Sequence, residues 1–370
     1  MTNKTNTINS NTLNTSNENN TNRTNPKSNT NKTNNQTLDN VALARVEVNL
    51  KVLEALRADD ESLSIELINQ YSGWGGLRDA IFTPSIYREL KKVANDAQIT
   101  SIKLTTTNAY YTPDLIVKFM WATLDQIIGF KGGDILEPAV GLGVFLDFMP
   151  LKIKEASKID AVELDHLTCE MLLFKHPKIN LICGGFENIH CGAKQYDLII
   201  SNPPFGRERL TDIIFKDLSD LRIHHFFIAK AARMLKDNGI IAVVVPSYFL
   251  DNVTEHARDF ISDSGVNLLM AFRLPDDLFS NAKVTIDIVF LQKAKTGISW
   301  TKTYDKIIEN DKKPLNEYFI DHPEHIIGTL QVIPMYERTG ITCRSNGDLR
   351  EQLAKVFSKM KKMLREQNDK

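Results

Sequence analysis

The sequence predicts an α/β protein built around a doubly wound, mostly parallel sheet, and two observations support this class. From residue 134 onward, short β-branched apolar segments alternate with helical stretches, a pattern typical of buried parallel strands. The last two segments have a short connector, which suits an antiparallel edge strand. The seven candidate strands are Asp134–Leu136, Lys158–Val162, Asn180–Cys183, Tyr196–Ile200, Gly239–Val245, Val266–Phe272 and Thr285–Leu291.

The composition is that of an ordinary globular protein. Charged residues make up 25% of the 370 residues and the formal net charge is −1, so any DNA contact must come from local patches. No apolar stretch is long enough to span a bilayer, and the N-terminus is too polar for a secretory signal. Cysteines and histidines show no metal-ligand spacing, which indicates reduced thiols in a cytoplasmic protein without a metal site.

Two segments of different character precede the sheet. Residues 1–38 are rich in Asn and Thr and nearly free of apolar side chains, so we expect a disordered tail. Residues 39–104 form a helical extension, with one helix from about Val41 to Arg57 and a second over about Glu61–Tyr71. The glycine-rich loop Tyr71–Leu77 follows and is either a tight connection or a substrate-contacting lid.

A further helix is predicted over Leu115–Phe130, just before the first strand. Thr112 is a plausible N-cap, and Pro113 suits the first helical position, where a missing N–H costs nothing. Together with Tyr111, these residues can close over one end of a ligand bound at the sheet. By themselves they indicate only a helix start, so the assignment depends on the motifs that follow.

A glycine turn with an acid in front of it follows the first candidate strand. Gly141 and Gly143 allow the backbone to approach a ligand closely, but the third glycine of a dinucleotide fingerprint is missing, since position 146 is Leu. The preceding acid, Glu137, is unfavourable beside a pyrophosphate and favourable beside positive charge. The turn therefore suits S-adenosylmethionine, which carries an ammonium and a sulfonium group.

Two more strand ends extend this predicted site. Glu163 stands at the tip of the second strand, where a carboxylate can accept both hydroxyls of a ribose; the alternative is an ordinary surface acid. After the third strand, Phe186 can cover one face of an adenine ring, and Glu187 or Asn188 can reach the amine of that ring. The expected ligand site therefore spans the ends of three strands.

The segment Asn202–Phe205 ends the fourth strand and is suited to hold a planar amine. Pro203 and Pro204 remove ladder donors, so the strand cannot continue and a rigid turn follows. Asn202 Oδ1 and the Pro203 carbonyl can each accept one N–H of an exocyclic NH2 group, and Phe205 can stack on the ring that carries it. These four residues are the candidate catalytic residues.

These motifs, in this order, resemble those of the amino-group DNA methyltransferases that modify the exocyclic amine of adenine. The resemblance covers about residues 105–292. It implies a Rossmann-like, S-adenosylmethionine-dependent fold with a seven-stranded sheet, DNA as the partner and adenine as the target. The residues that carry it are Tyr111, Thr112, Pro113, Glu137, Pro138, Gly141, Gly143, Glu163 and Asn202–Phe205.

Flanking segments sharpen the resemblance, and two departures qualify it. Tyr71–Leu77, Asn316–Phe319 and His322–Glu324 look like parts of the methylase portion of phage- and plasmid-borne methylase–helicase proteins. Position 185 is Gly where the family often has an Asp, so Glu187 is a possible substitute. The irregular extension expected over residues 293–345 is small for a target recognition domain, so a specificity or helicase partner chain is possible.

The resemblance implies direct methyl transfer to a base rotated out of the duplex, without a metal or a cysteine nucleophile. Phe205, helped by Tyr248 or Phe249, would stack on that base. Three alternatives stay open: methylation of an RNA base, methylation of a protein glutamine, and a non-catalytic DNA-binding remnant of a mobile element. Residues 346–370 predict a basic amphipathic helix that either packs on the domain or contacts a partner or phosphates.

Overall fold

A seven-stranded sheet organises the chain in the computed structural model. Its strands are β1 (Asp134–Glu137), β2 (Lys158–Glu163), β3 (Asn180–Cys183), β4 (Tyr196–Ser201), β5 (Leu235–Pro246), β6 (Val266–Leu274) and β7 (Ile286–Lys293). All seven candidate strands are therefore confirmed, with shifts at their ends. The described residues are 40–58, 62–106, 112–190, 194–254, 256–278, 283–295, 297–335 and 338–368; the tail expected over residues 1–38 lies outside them.

The strands lie in the order β3-β2-β1-β4-β5-β7-β6. Strands β1 to β5 pair in parallel, whereas β7 runs antiparallel to both β5 and β6. The expected mostly parallel sheet is confirmed, and so is antiparallel pairing at one edge, because the β6–β7 connection is too short for a parallel crossover. After β3 the chain crosses back to the other side of β1, where β4 and β5 are added, so the strand order reverses between β1 and β4. This switch point leaves a crevice at the carboxyl ends of the strands.

Helices precede and alternate with these strands. They are α1 (Asn40–Arg57), α2 (Ile65–Ile68), α3 (Arg78–Ile81), α4 (Pro84–Val93), α5 (Asp96–Thr105), α6 (Asp114–Thr123), α7 (Val144–Asp147), α8 (Leu151–Glu155), α9 (His166–Lys175), α10 (Ile223–Arg233), α11 (Tyr248–Asp251), α12 (His256–Ser262), α13 (Glu317–Asp321) and α14 (Leu349–Asn368). None of them, in the part of the chain that the structure describes, combines the length and apolar character that crossing a membrane requires.

Two predicted helix boundaries are wrong. Pro113, rather than Thr112, is the N-cap of α6, and a π-helical turn over Leu124–Ile128 continues that helix. The second predicted helix shrinks to α2, because the Ser64 side chain accepts a hydrogen bond from the Leu67 amide and starts the helix late.

Both faces of the sheet are buried, as the predicted class requires. On β5, Ile241 and Val243 join one hydrophobic cluster, whereas Ile240 and Ala242 join another. Helix α10 packs into the first cluster and α6 into the second. Leu353 of α14 is buried in the second cluster too, so the C-terminal helix packs on the domain, as one of the two expectations had it.

The N-terminal helices α1 to α5 build a third hydrophobic cluster that includes residues of the sheet domain. Leu142, which follows β1, and Leu167 and Met171 of α9 belong to this cluster. The Ser101 hydroxyl of α5 also donates to Asp165 at a distance of 2.8 Å. The helical extension therefore packs beside the carboxyl ends of β1 and β2, where the candidate site lies.

The segment expected to be irregular, residues 293–345, instead contains two hairpins, so that expectation is wrong. The hairpins are β8 (Thr303–Ile308) with β9 (Asp311–Asn316), and β10 (Thr329–Met335) with β11 (Arg338–Arg344). Glu309 and Asn310 have φ of 49° and 73°, so a two-residue turn with left-handed residues joins β8 to β9. Asn316 caps α13 and donates to the Leu250 and Trp300 carbonyls.

The cysteines differ from the expectation of reduced thiols. Cys169 of α9 and Cys183 at the end of β3 form a disulfide, because the helix that follows β2 packs beside β3. Cys343 is a buried free thiol, whereas Cys191 lies outside the described residues. The disulfide joins two elements that border the crevice.

Candidate active site

A cavity of about 220 Å³ opens at the carboxyl ends of β1 to β4, at the switch point of the sheet. Nine of the site residues predicted from the sequence line this cavity. They come from the ends of four strands and from the start of α6. They are Thr112, Glu137, Pro138, Gly141, Glu163, Phe186, Glu187, Asn202 and Pro204.

The other predicted site residues stand outside this lining. Tyr111 lies outside the described residues, and Pro113 caps α6. Gly143 has φ of +78°, and a Cβ on it would approach Leu172 Cδ1 to 2.8 Å, so this glycine serves the turn and its packing on α9. Pro203 is buried, and the half-buried Phe205 packs against the second hydrophobic cluster.

Glu137 is a buried acid without a partner. Its side chain is 1% exposed, and neither carboxylate oxygen has a hydrogen-bond partner among the described residues. Burial, together with repulsion from Asp147 and Glu163, raises the pKa of Glu137 well above its ordinary value. Leaving such a group unpaired is costly, so a cationic ligand that hydrogen-bonds to it would gain affinity here.

Glu163 is held in one orientation by two backbone amides. Gly141 N–H donates to Oε2 at 2.9 Å and Asp165 N–H donates to Oε1 at 2.8 Å. Burial raises the pKa of Glu163 to about 7, although these amides act in the opposite direction. Each oxygen keeps a further acceptor position, so the carboxylate can accept two hydroxyl groups.

A buried lysine fixes the segment after β3. Lys230 of α10 donates to the Phe186 carbonyl at 2.7 Å and to Asp212 Oδ2 at 2.6 Å, and both side chains of this ion pair are fully buried. A Cβ on Gly185 would overlap the Glu187 carboxylate. The absence of a side chain at position 185 therefore leaves room for the carboxylate two residues later.

Sequence reasoning missed part of the lining. Tyr71, Gly73 and Trp74 belong to the glycine-rich loop, so of its two interpretations the contacting one fits the structure. Several further lining residues lie on helices or beside them and were not proposed as site residues from the sequence. They include Leu104 and Thr105 of α5, Asp165 and Thr168 next to or on α9, and Ile223 and Phe227 of α10.

Two aromatic residues were expected to help stack a base, and only one is accessible. Tyr248 is 40% exposed, whereas Phe249 is fully buried and stacks on Trp300 at a centroid distance of 6.1 Å. Phe249 is therefore a core residue, and that alternative is wrong.

The charged side chains of the cavity are all acidic among the described lining residues. They are Glu137, Glu163, Asp165 and Glu187. An acidic wall repels a polyphosphate and attracts a cation. Together with the unpartnered Glu137 and the pre-oriented Glu163, it fits a ligand with an ammonium, a sulfonium and a ribose, as S-adenosylmethionine has.

Comparisons with known proteins agree with this chemistry. A family model described as Eco57I restriction-modification methylase matches residues 2–279. The type II methyltransferase M.HincII of Haemophilus influenzae is 29% identical over 169 residues, covering 42% of this chain and 31% of that protein. The EcoEI type I methylase subunit of Escherichia coli is 24% identical over 212 residues, covering 50% of this chain and 42% of that protein.

A relative with another substrate also matches. A tRNA1(Val) (adenine(37)-N6)-methyltransferase of Flavobacterium johnsoniae is 31% identical over 137 residues, covering 34% of this chain and 58% of that protein. The chain thus spans less than two thirds of the length of each of these relatives.

Proposed function

Because the chain belongs to the Eco57I restriction-modification methylase family, we propose that it methylates the exocyclic amine of adenine in DNA. Its cofactor is S-adenosylmethionine. The observation that carries this proposal is the acidic cavity at the switch point, which Asn202 and Pro204 line beside the cofactor residues. A cation site next to an amine-holding turn suits methyl transfer to nitrogen.

The cavity residues hold the cofactor in defined roles. Glu137 accepts hydrogen bonds from the ammonium group, and Glu163 accepts them from the ribose hydroxyls. Phe186 packs on the adenine ring of the cofactor, and Glu187 accepts from its amine, in the space that Gly185 leaves open. When bound, the cofactor supplies a methyl group on a positively charged sulfur.

The turn at the start of α6 and the glycine turn after β1 complete this binding site. Thr112 lines the cavity and is proposed to contact the methionine end, and the same role for Tyr111 and Pro113 stays a prediction from the sequence. Pro138 and Gly141 also line the cavity, while Gly143 maintains the turn that follows. Binding the cofactor therefore draws on elements from both sides of β1.

The turn after β4 holds the target amine. Asn202 Oδ1 and the Pro203 carbonyl each accept one N–H, which draws the amine lone pair out of ring conjugation and orients it. Pro204 keeps the turn rigid, and Phe205 stacks on the base, helped by the accessible Tyr248. The base must leave the duplex to reach this turn, since its amine is inaccessible while stacked.

The chain contributes positioning and electrostatics to the reaction. Oriented acceptors favour the positive charge that develops on the amine nitrogen during direct displacement. Transfer needs no covalent intermediate on a cysteine. We therefore assign the rate acceleration to the Asn202–Phe205 turn and its placement beside the cofactor.

DNA is the proposed partner, and a second chain is proposed to supply sequence specificity or a helicase motor. The two hairpins and α13 are small for a recognition domain, and the EcoEI relative is by its name a subunit. The cytoplasm, where DNA and the cofactor meet, is the proposed location.

Methylation of adenine in RNA is the second candidate, favoured by the tRNA methyltransferase relative. An Asn-Pro-Pro-Phe turn accepts the amine of any planar group, so it does not by itself distinguish DNA from RNA. A protein glutamine amide and a non-catalytic DNA-binding remnant are the other outcomes to be tested.

The test offers plasmid DNA, bulk tRNA and cell protein to the purified full chain with methyl-labelled S-adenosylmethionine, followed by mass spectrometry of the products. We expect label in N6-methyladenine from DNA. The Asn202→Ala variant should lose at least about 100-fold in rate, as removal of an oriented polar group typically does. Asn180→Ala is the matched control, because Asn180 starts β3 at the opposite end of the sheet.

Label found in RNA or protein alone would select one of those alternatives. A protein that neither binds the cofactor nor transfers label would be the non-catalytic remnant. Full activity of Asn202→Ala would remove the proposed mechanism.

A further inference from the structure

The glycine-rich loop Tyr71–Leu77 brings an unused donor to the cavity. Trp74 lines the cavity and is 1% exposed, and its indole Nε1–H has no acceptor among the described residues. A buried N–H without an acceptor is costly, so native proteins seldom keep one unless a ligand or water uses it. The loop therefore presents a hydrogen-bond donor to which the proposed function assigns no role.

Helix α1 holds this loop in place. Asn49, which is fully buried, donates to the Gly73 carbonyl at 2.7 Å and accepts from the Ser72 amide at 3.0 Å. Arg45 donates to the Ser72 and Gly75 carbonyls, each at 3.1 Å. The backbone on both sides of Trp74 is thus fixed before any ligand arrives, which is how a binding group is pre-organised.

The chain has three tryptophans, and they differ in whether the indole N–H has an acceptor and in whether the side chain lines the cavity. Trp121 Nε1–H donates to the Phe145 carbonyl at 2.8 Å. Trp300 is as buried as Trp74 and also lacks an acceptor among the described residues, but it belongs to the core cluster that contains Phe249. Only Trp74 combines an unused N–H with a place in the cavity wall.

The cavity must also accommodate a carboxylate, because S-adenosylmethionine carries one beside its ammonium. The described lining residues include no lysine or arginine, so among them only neutral donors can hold the carboxylate. Four hydroxyl-bearing residues line the cavity, Tyr71, Thr105, Thr112 and Thr168, and two of these hydroxyls donate within the chain: Thr105 to the Ile102 carbonyl and Thr168 to Asp165. An indole N–H is a neutral donor that does not compete for the acids of the wall.

We infer that Trp74 Nε1–H donates a hydrogen bond to the carboxylate of the cofactor's methionine moiety. This inference rests on the proposed function for the identity of the ligand. Arg45 and Asn49 act as positioning residues that hold the loop, and Glu137 binds the ammonium of the same moiety. The N-terminal extension thereby becomes part of the cofactor site.

Calorimetric titration of the full chain tests this assignment without any activity measurement. The two ligands are S-adenosylmethionine and decarboxylated S-adenosylmethionine, which keeps the sulfonium and the amine but lacks the carboxylate. A hydrogen bond to a charged group in a buried site corresponds to about 10- to 100-fold in affinity. We expect Trp74→Phe to weaken binding of the first ligand by that factor and to leave binding of the second nearly unchanged.

Trp300→Phe is the matched control, since it removes an equally buried, equally unpartnered indole away from the cavity. It should change neither affinity. If Trp74→Phe does not fold, replacement of Trp74 by 3-benzothienylalanine keeps the shape of the ring and removes only the N–H.

Equal losses for the two ligands, or no loss for either, would overturn the role of Trp74 while leaving the cofactor assignment intact. A wild-type chain that binds neither ligand would overturn the cofactor assignment, and the role of Trp74 with it. The two failures are therefore distinguishable in one set of titrations.

Discussion

Buried charges occur in two arrangements in this molecule. At the β6–β7 edge, Arg273 and Asp287 are fully buried and share two hydrogen bonds of 2.9 Å, and Arg273 donates a third to Asp251 at 2.6 Å. At the carboxyl ends of β1 and β2, Glu137 is 1% exposed and has no hydrogen-bond partner among the described residues, and Glu163 accepts hydrogen bonds from the backbone amides of Gly141 and Asp165.

The two arrangements of buried ionisable groups indicate two roles, one structural and one in ligand binding. A buried charge whose bonds are all made within the chain holds elements together; here Arg273 also contacts the Phe319 ring and ties α13 to the sheet. A buried acid without a partner lowers stability when it ionises, which is why its pKa is raised, and its retention indicates a cationic ligand that pairs with it. A substitution in the satisfied network should therefore lower stability, whereas a substitution of the unpaired acid should lower ligand affinity without lowering stability.

The largest effect is expected from breaking the satisfied network. Arg273→Met leaves Asp287 and Asp251 buried without their cation, which should cost about 3–5 kcal/mol of unfolding free energy. Urea denaturation measures this loss. The double variant Arg273→Met with Asp287→Leu removes both charges of this pair and leaves Asp251 with its hydrogen bond from the Asn316 amide, so it should recover much of the lost stability. A loss below about 1 kcal/mol in the single variant would show that this ion pair does not hold the elements together.

A smaller effect is expected from the pH dependence of Glu163. The pKa of its carboxyl is raised from 4.5 to about 7, so between these values the folded chain keeps a proton that the unfolded chain releases. The stability due to this group is therefore complete below about pH 4.5 and is lost as pH rises through 7, by up to about 3 kcal/mol.

Denaturation of the wild type and of Glu163→Gln across this pH range tests the prediction, because the variant should lack the decline. Cofactor affinity should change in the opposite direction and rise with pH, since ribose hydroxyls donate to the ionised carboxylate. Identical pH profiles for the two proteins would refute the raised pKa.

The smallest effect is expected at an exposed ion pair. Arg57 and Glu170 lie 2.9 Å apart with side chains 37% and 40% exposed, and solvent screens such pairs. Glu170→Gln should change the unfolding free energy by less than about 1 kcal/mol and leave cofactor affinity unaltered. This variant gives the reference value against which the effects at the buried groups are compared. A loss of unfolding free energy as large as that of Arg273→Met would show that burial does not determine the size of the effect.

The sheet and most of the cavity could be predicted because their signals are local. Apolar runs predicted the strands. An acid or an asparagine at the end of a predicted strand indicated Glu137, Glu163 and Asn202 as site residues. Since parallel strands end on one edge, topology then brought these residues together.

The rest depends on contacts that no local pattern encodes. The hairpin over Thr303–Asn316 is polar, and its turn uses Glu309 and Asn310 instead of a glycine pair, so it gave little signal. Trp74 stood in a recognised loop, but only the packing of α1 on the domain brings it to the cavity. Likewise the pairing of Cys169 with Cys183 depends on how α9 packs beside β3.

Glu137, whose carboxylate has no hydrogen-bond partner among the described residues, is proposed to mark the cofactor site, and calorimetric titration of S-adenosylmethionine into wild type and Glu137→Gln tests this assignment. We predict at least about tenfold weaker binding by the variant, since it loses a charged hydrogen bond, together with a melting temperature that is unchanged or higher. Glu155→Gln, at an exposed acid of α8, is the matched control. Unaltered affinity in Glu137→Gln, or a stability loss as large as that of Arg273→Met, would show that Glu137 is a structural residue and does not bind the cofactor.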